Sequence, residues 1–163
     1  MKDAISIREL APQDISTVCD LAVAAWAPIY AWYQKTMGEE LFAALHPDWR
    51  AEKAGQVRRA CQPDDPAYVL VAEQGGHVVG FVTMYTGDNG VGEIGNNAVH
   101  PTAQGQGIAP RLYERAMAYL REQGMRFVCV STGADPAHAP ARAAYSKAGF
   151  DIELPELTLY RAL

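Results

Sequence analysis

The order of strand and helix signals predicts an α/β fold of mixed α+β character, a single domain over residues 1–163. A central mixed, mostly antiparallel sheet of about seven strands is expected, flanked by helices in the order β-α-α-β-β-β-α-β-α-β-β. Three observations carry this expectation. Residues 68–73 and 77–85 are β-rich runs joined by Gln74-Gly75-Gly76, a hairpin signal. Leu112, Ala116, Met117 and Leu120 recur at helical spacing between two strand-like runs, as a crossover helix would. Hairpins combined with crossover helices require a sheet that is neither all parallel nor all antiparallel.

Residues 4–9 alternate like a first strand, and Pro12-Gln13-Asp14 opens a helix. Ile15, Val18, Cys19, Ala22 and Trp26 line one face of that helix, and Pro28 is expected to end it. An aromatic connection follows with Trp32, Tyr30 and Tyr33, then helical stretches at 38–45 and 48–61 separated by Pro47. Asp88-Asn89-Gly90 marks a turn before a strand at 91–99. The helix after it should end at Gly124. Residues 126–131 read as an apolar strand and 139–148 as a short helix, and Gly149-Phe150 leads into two closing strands around Pro155-Glu156.

Composition narrows the function. A net charge of −5 argues against nucleic acid as a partner, because a phosphate backbone is gripped by clustered Lys and Arg. No uninterrupted apolar run reaches membrane-span length, and the alternating N-terminus lacks the apolar centre of a signal peptide. Cys19, Cys61 and Cys129 are odd in number, far apart and without metal-ligand spacing. They read as small buried hydrophobes in a reducing compartment. The expectation is a soluble, cytoplasmic protein with no metal, no membrane partner and no nucleic acid.

The hexapeptide Gln104-Gly105-Gln106-Gly107-Ile108-Ala109 is the strongest chemical signal. A glycine-rich turn between a strand and a helix presents backbone N–H groups at the positive end of the helix dipole, which suits a diphosphate. Gly105 and Gly107 remove side chains that would hold a diphosphate off the main chain, and Ala109 lets the first helical turn come close. A Walker loop would need Lys and then Ser or Thr where Ile108 and Ala109 stand. A dinucleotide fingerprint would need three glycines in an early βαβ unit.

The whole segment from Val99 through Pro101 and Gln104 to Gly107 and Ala109 resembles the acetyl-CoA loop of the GCN5-related N-acetyltransferases (GNAT). That pattern is Val-x-Pro, two or three residues, then Gln/Arg-x-x-Gly-x-Gly/Ala. A second segment, Ala141-Arg142-Ala143-Ala144-Tyr145-Ser146-Lys147-Ala148-Gly149-Phe150, is similar to the family's Ala-x-x-x-Tyr-x-Lys-x-Gly-Phe signature. The resemblance is specific over about residues 68–152 and rests on element order before that.

The resemblance implies acetyl-CoA as co-substrate, bound by Gln104, Gly105, Gln106, Gly107, Ile108 and Ala109. It also implies backbone N–H groups of Asn97, Ala98 and Val99 near the thioester carbonyl, on a strand that carries a bulge in this family. Tyr145 matches the tyrosine that commonly sits beside the thioester sulfur, and a phenol of pKa about 10 can give its proton to a thiolate. Glu93 lies six residues before Val99, where members acting on amines carry a catalytic glutamate. The polar run Gly92–Val99 around it suggests a strand facing a wet cleft. An alkylamine of pKa about 10.4 is mostly protonated at neutral pH, so a base at Glu93 has a role to fill. A substrate-positioning role and a solvated strand-end residue are the other readings of Glu93.

His138 stands where the family often has an asparagine that contacts pantetheine, and its two ring nitrogens could replace that amide. Tyr30 and Tyr33 precede the part of the fold that borders the family's acceptor groove, and aromatic faces there could hold a cationic amine. Trp26 is assigned to the core, and Cys129, inside Phe127-Val128-Cys129-Val130, to an inert buried thiol. The expected reaction is direct acetyl transfer from the thioester to a primary amine of a small molecule or peptide, in a ternary complex. Another acyl group, a hydroxyl acceptor and a non-catalytic acyl-CoA sensor remain as rivals on the same fold. Dimers are frequent in the family, which leaves a homodimer open.

Overall fold

The computed structural model describes residues 4–163. Five strands form one sheet in their chain order: β1 (Ile5–Glu9), β2 (Tyr68–Gln74), β3 (His77–Tyr85), β4 (Val91–Val99) and β5 (Phe127–Val130). The first three pairings are antiparallel, and β4 pairs β5 in parallel, so the sheet is mixed as the hairpin-plus-crossover pattern requires. Gly75 and Gly76 both adopt positive φ in the β2–β3 turn, the geometry that fits the twist of a tight hairpin.

Three helices lie between β1 and β2: α1 (Ile15–Met37), α2 (Glu39–Leu45) and α3 (Trp49–Ala60). Two more follow, α4 (Ile108–Glu122) between β4 and β5, and α5 (Ala139–Lys147) after β5. Strand alternation sorts the core into two layers. Leu70, Ala72, Val82 and Met84 face α4, where Ile108, Leu112, Ala116 and Leu120 recur at helical spacing. Val69, Val71 and Phe81 face the other way, onto Val18, Cys19, Leu21 and Ala22 of α1 and Val57 of α3. Arg8 ties the layers at one edge: its guanidinium reaches Asp14 at 2.6 Å and Glu73 at 2.7 Å. The Arg8 bonds hold the Asp14 carboxyl below its usual pKa.

The structure departs from the sequence expectation in several places, the first being three helices between β1 and β2 where the expected order has two. Pro28 does not end α1, which continues to a cap at Gly38 with φ of 80°. One missing N–H is tolerated because the second half of α1 is anchored by its aromatic residues: Tyr30 stacks on Trp49 of α3 at 4.4 Å and Tyr33 on His46 at 6.0 Å. Pro12–Met37 is long and apolar enough to cross a membrane by length and composition, because the helix is one piece rather than two. Part of that apolarity is spent on the sheet, at Val18, Cys19, Leu21 and Ala22.

The two closing strands do not form, so the sheet has five strands rather than about seven. Residues 151–163 join no strand or helix and are exposed. The alternating apolar pattern there is a genuine strand signal, but it carries no information about where a pairing partner lies. As a direct result β5 is an edge strand, and Cys129 is exposed rather than buried.

Candidate active site

The site is made where β4 and β5 part. They pair from Val91 with Phe127 to Ile94 with Val130, and there the ladder stops. β5 ends, while β4 runs on to Val99 against β3. At the point of parting β4 carries a bulge, since Met84 pairs with Ile94 and Val82 with Asn97, which leaves Gly95 and Asn96 as the irregular pair. Gly95 is required at the bulge, because a Cβ there would sit 2.7 Å from the Thr83 hydroxyl. That hydroxyl donates to the Asn96 carbonyl at 3.1 Å and pins the irregular backbone.

A cleft of about 1010 Å³ opens between the diverging strands. Glu93, Asn97, Ala98, Val99, Gln104, Ala109, His138 and Tyr145 all line it. The sequence-derived site residues from three separate segments therefore converge on one cavity. Gly105 and Gly107 lie exposed in the loop that joins the cleft to α4, with φ of 73° and 76°, and nothing within 4 Å of where a Cβ would be. Gly107 caps α4 in the left-handed conformation. Open space over glycine backbone at a helix N-terminus is the arrangement an incoming diphosphate needs. Gln104 braces the loop by donating to the Val99 carbonyl at 3.1 Å, and Gln106 accepts from Gln74 at 3.3 Å. The Ile108 side chain is buried in the core, so its backbone alone can face a ligand.

Tyr145 is held by a clamp that sequence reasoning missed. The Asn97 side-chain amide donates to the Tyr145 oxygen at 3.0 Å, and Tyr113 of α4 donates to the Asn97 carbonyl oxygen at 2.8 Å. The best internal acceptor for the Tyr145 proton is that same Asn97 oxygen, at a long 3.4 Å. Its proton is thus the least committed in the trio. Burial pushes the Tyr145 phenol above its ordinary pKa, against the opposing pull of Asn97 and Tyr113, so the group is protonated at neutral pH. Burial pushes Tyr113 much further up. Asn97 contributes a side chain as well as the backbone expected of it, and only three-dimensional proximity discloses the role of Tyr113.

His138 lines the cleft but is engaged, with Nδ1 at 2.6 Å from Asp135. Burial would raise the Asp135 carboxyl, yet the bond with His138 and the backbone N–H groups of Ala137 and His138 bring it below its usual value. Arg142 braces the same loop by donating to the carbonyls of Gly133 and Asp135 at 2.6 and 2.7 Å.

Tyr30 and Tyr33 are not among the cleft-lining residues. Their rings pack with Phe42, His46 and Trp49, although the Tyr33 ring centre comes within 6.4 Å of that of His138. α1 lines the cleft instead with Ala25, Trp26, Pro28 and Ile29, so Trp26 faces both core and cleft. The continued helix explains the change, since it rotates Tyr30 and Tyr33 toward α2 and α3. α3 adds Lys53 and Gln56, two polar residues with no motif to announce them. Among the described residues no group of three His, Cys, Asp or Glu side chains converges to hold a metal ion.

Comparison with known proteins agrees with this architecture. The sequence profile of the Acetyltransferase (GNAT) family matches residues 22–150. A mycothiol acetyltransferase of Cellulomonas flavigena is 32% identical over 124 residues, covering 67% of this chain and 36% of the relative. One from Amycolatopsis mediterranei is 29% identical over 158 residues, 92% of this chain and 47% of the relative. The chain thus spans less than half the length of these relatives. Among solved structures, the PaiA N-acetyltransferase of Thermoplasma acidophilum in complex with coenzyme A has a TM-score of 0.73 at 19% identity, covering 94% of this chain and 93% of that one. An aminoglycoside N-acetyltransferase in complex with CoA has a TM-score of 0.64 at 16% identity, covering 98% and 95%. The α1–α3 packing, the bulged β4 and the glycine loop therefore sit in a chain that belongs to the GNAT acetyltransferase family.

Proposed function

We propose that the chain is an acetyl-CoA-dependent N-acetyltransferase that passes the acetyl group directly to a primary amine in a ternary complex. The observation that carries this reading is the clamp on Tyr145, whose hydroxyl lines the cleft near the glycine loop and has only a long 3.4 Å bond to Asn97 as an outlet for its proton. The diphosphate rests on the backbone of residues 104–109, and the pantetheine arm enters between β4 and β5. The amine nitrogen attacks the thioester carbonyl, whose developing oxyanion is met by backbone N–H groups of β4 at or after the bulge. The C–S bond breaks, and Tyr145 gives its proton to the departing thiolate. Glu93, exposed on the cleft wall, takes through water the proton that the bound ammonium must lose before its nitrogen attacks, and the second proton, lost from that nitrogen as the intermediate collapses, restores the Tyr145 phenol. The relatives named for mycothiol and aminoglycoside acetylation support a small-molecule amine as acceptor. Cys129 has no part in the route: it is not among the cleft-lining residues, and partial desolvation and then the Glu93 charge raise its thiol pKa.

Three outcomes test the reading. Gly107→Val places a branched residue at φ of 76° and into the open space of the loop, so acetyl-CoA affinity should fall at least about tenfold by calorimetry in a folded protein. Unchanged affinity would remove the loop as the diphosphate site. Tyr145→Phe deletes only the phenol oxygen, so acetyl-CoA should still bind while kcat falls by roughly 10²-fold or more. Wild-type turnover from pH 6 to 9 would assign the thiolate's proton to another source. Glu93→Gln should lower kcat near pH 7 much more than near pH 9, where more of the amine arrives neutral. A raised KM with an unchanged pH profile would make Glu93 a positioning residue instead.

A further inference from the structure

Lys53 is a charged side chain that none of the steps above uses. It sits on α3 at 7% exposure and lines the cleft. Its ammonium donates to Gln56 at 2.7 Å and to the Asn96 side-chain oxygen at 3.2 Å, and lies 4.2 Å from the centre of the Trp26 ring. All three partners are neutral. Among the described residues no carboxylate comes within ion-pair distance of it. A lysine this buried almost always has an acidic partner, because an uncompensated charge in a protein interior is costly. Burial lowers its pKa from 10.5 to about 8, which still leaves it mostly cationic at neutral pH. Among the described residues, Lys53 and Glu93 are the only Lys, Arg, Asp or Glu side chains on the cleft wall. They do not neutralise each other.

From this we infer that the acceptor is an amine that also carries a carboxylate, with its ammonium facing Glu93 and its carboxylate received by Lys53. The assignment rests on the acetyltransferase reading above and names the acceptor class for the same cleft. Two N–H groups of Lys53 are already given to Gln56 and Asn96, which fixes the ammonium in place and leaves the third for an incoming anion. The bond to Asn96 also attaches this subsite to the bulge, next to Asn97 and its clamp on Tyr145.

Matched acceptor pairs test the inference: amino acids, and the amines left when the carboxylate is removed, such as phenylalanine and phenethylamine. Wild-type kcat/KM should favour the carboxylate-bearing member by about tenfold or more, the scale of one charge-assisted bond. Lys53→Met should abolish that preference through KM while leaving the decarboxylated member little changed, and Lys53→Arg should restore part of it. Equal or inverted wild-type preference would overturn the inference, and so would an equal loss on both members of a pair. Calorimetry of N-acetylamino acids against the CoA complex reads the subsite without turnover. Lys53-dependent binding there, with no amine acetylated, would keep the subsite and reject the transferase reading. Absence of such binding would reject the subsite.

Discussion

Everything in the site depends on β4 and β5 ceasing to pair after Ile94 and Val130. Two parallel strands that stay together bury their backbone groups in each other and leave nothing for a ligand. Strands that part expose N–H and C=O groups along the gap. The bulge at Gly95–Asn96 occurs at the same level and re-aims the residues after it. Asn97 thereby meets Tyr145 of α5 and Tyr113 of α4, elements on the two sides of the opening. The bulge backbone is itself held from the neighbouring strand by Thr83, a fully buried hydroxyl. Loss of that register would dismantle the tyrosine clamp and the Lys53 contact together.

The clamp also explains how one tyrosine can serve as an acid. A buried phenol with a raised pKa is a poor acid toward water but remains reliably protonated. What it needs is a proton not already given to a strong internal acceptor. Asn97 provides this by donating to the Tyr145 oxygen while accepting from Tyr113, so the amide is filled from one side and orients the phenol from the other. The glycine loop works through different physics. Its positive-φ backbone has no side chains over it, and in the proposed complex binding there would rely on main-chain dipoles at the start of α4.

Much of this was legible in the residues. The hairpin turn at Gly75–Gly76, the apolar face of α4 and the loop at 104–109 are local patterns, and local patterns survive folding. The convergence of Glu93, Asn97 and Tyr145 on one cleft followed from motifs at known separations. What could not be read depended on distant partners. Pro28 looked like a helix terminator because the anchoring contacts of Tyr30 and Tyr33 come from α2 and α3. Residues 151–163 read as strand because alternation records propensity, whereas pairing requires an edge in the right place. Tyr113 and Lys53 sit on α4 and α3 with the spacing of core positions. Their chemistry arises only from what lies across the cleft.

The central claim is that the diverging strands hold a thioester with its sulfur at the Tyr145 hydroxyl. A crystal structure of the protein with CoA tests it most directly. The account predicts the diphosphate on the backbone of residues 104–109, the pantetheine arm between β4 and β5, and the sulfur within hydrogen-bonding reach of Tyr145. A CoA bound with its sulfur elsewhere, or with Tyr145 still turned onto Asn97 and the gap between the strands empty, would contradict it.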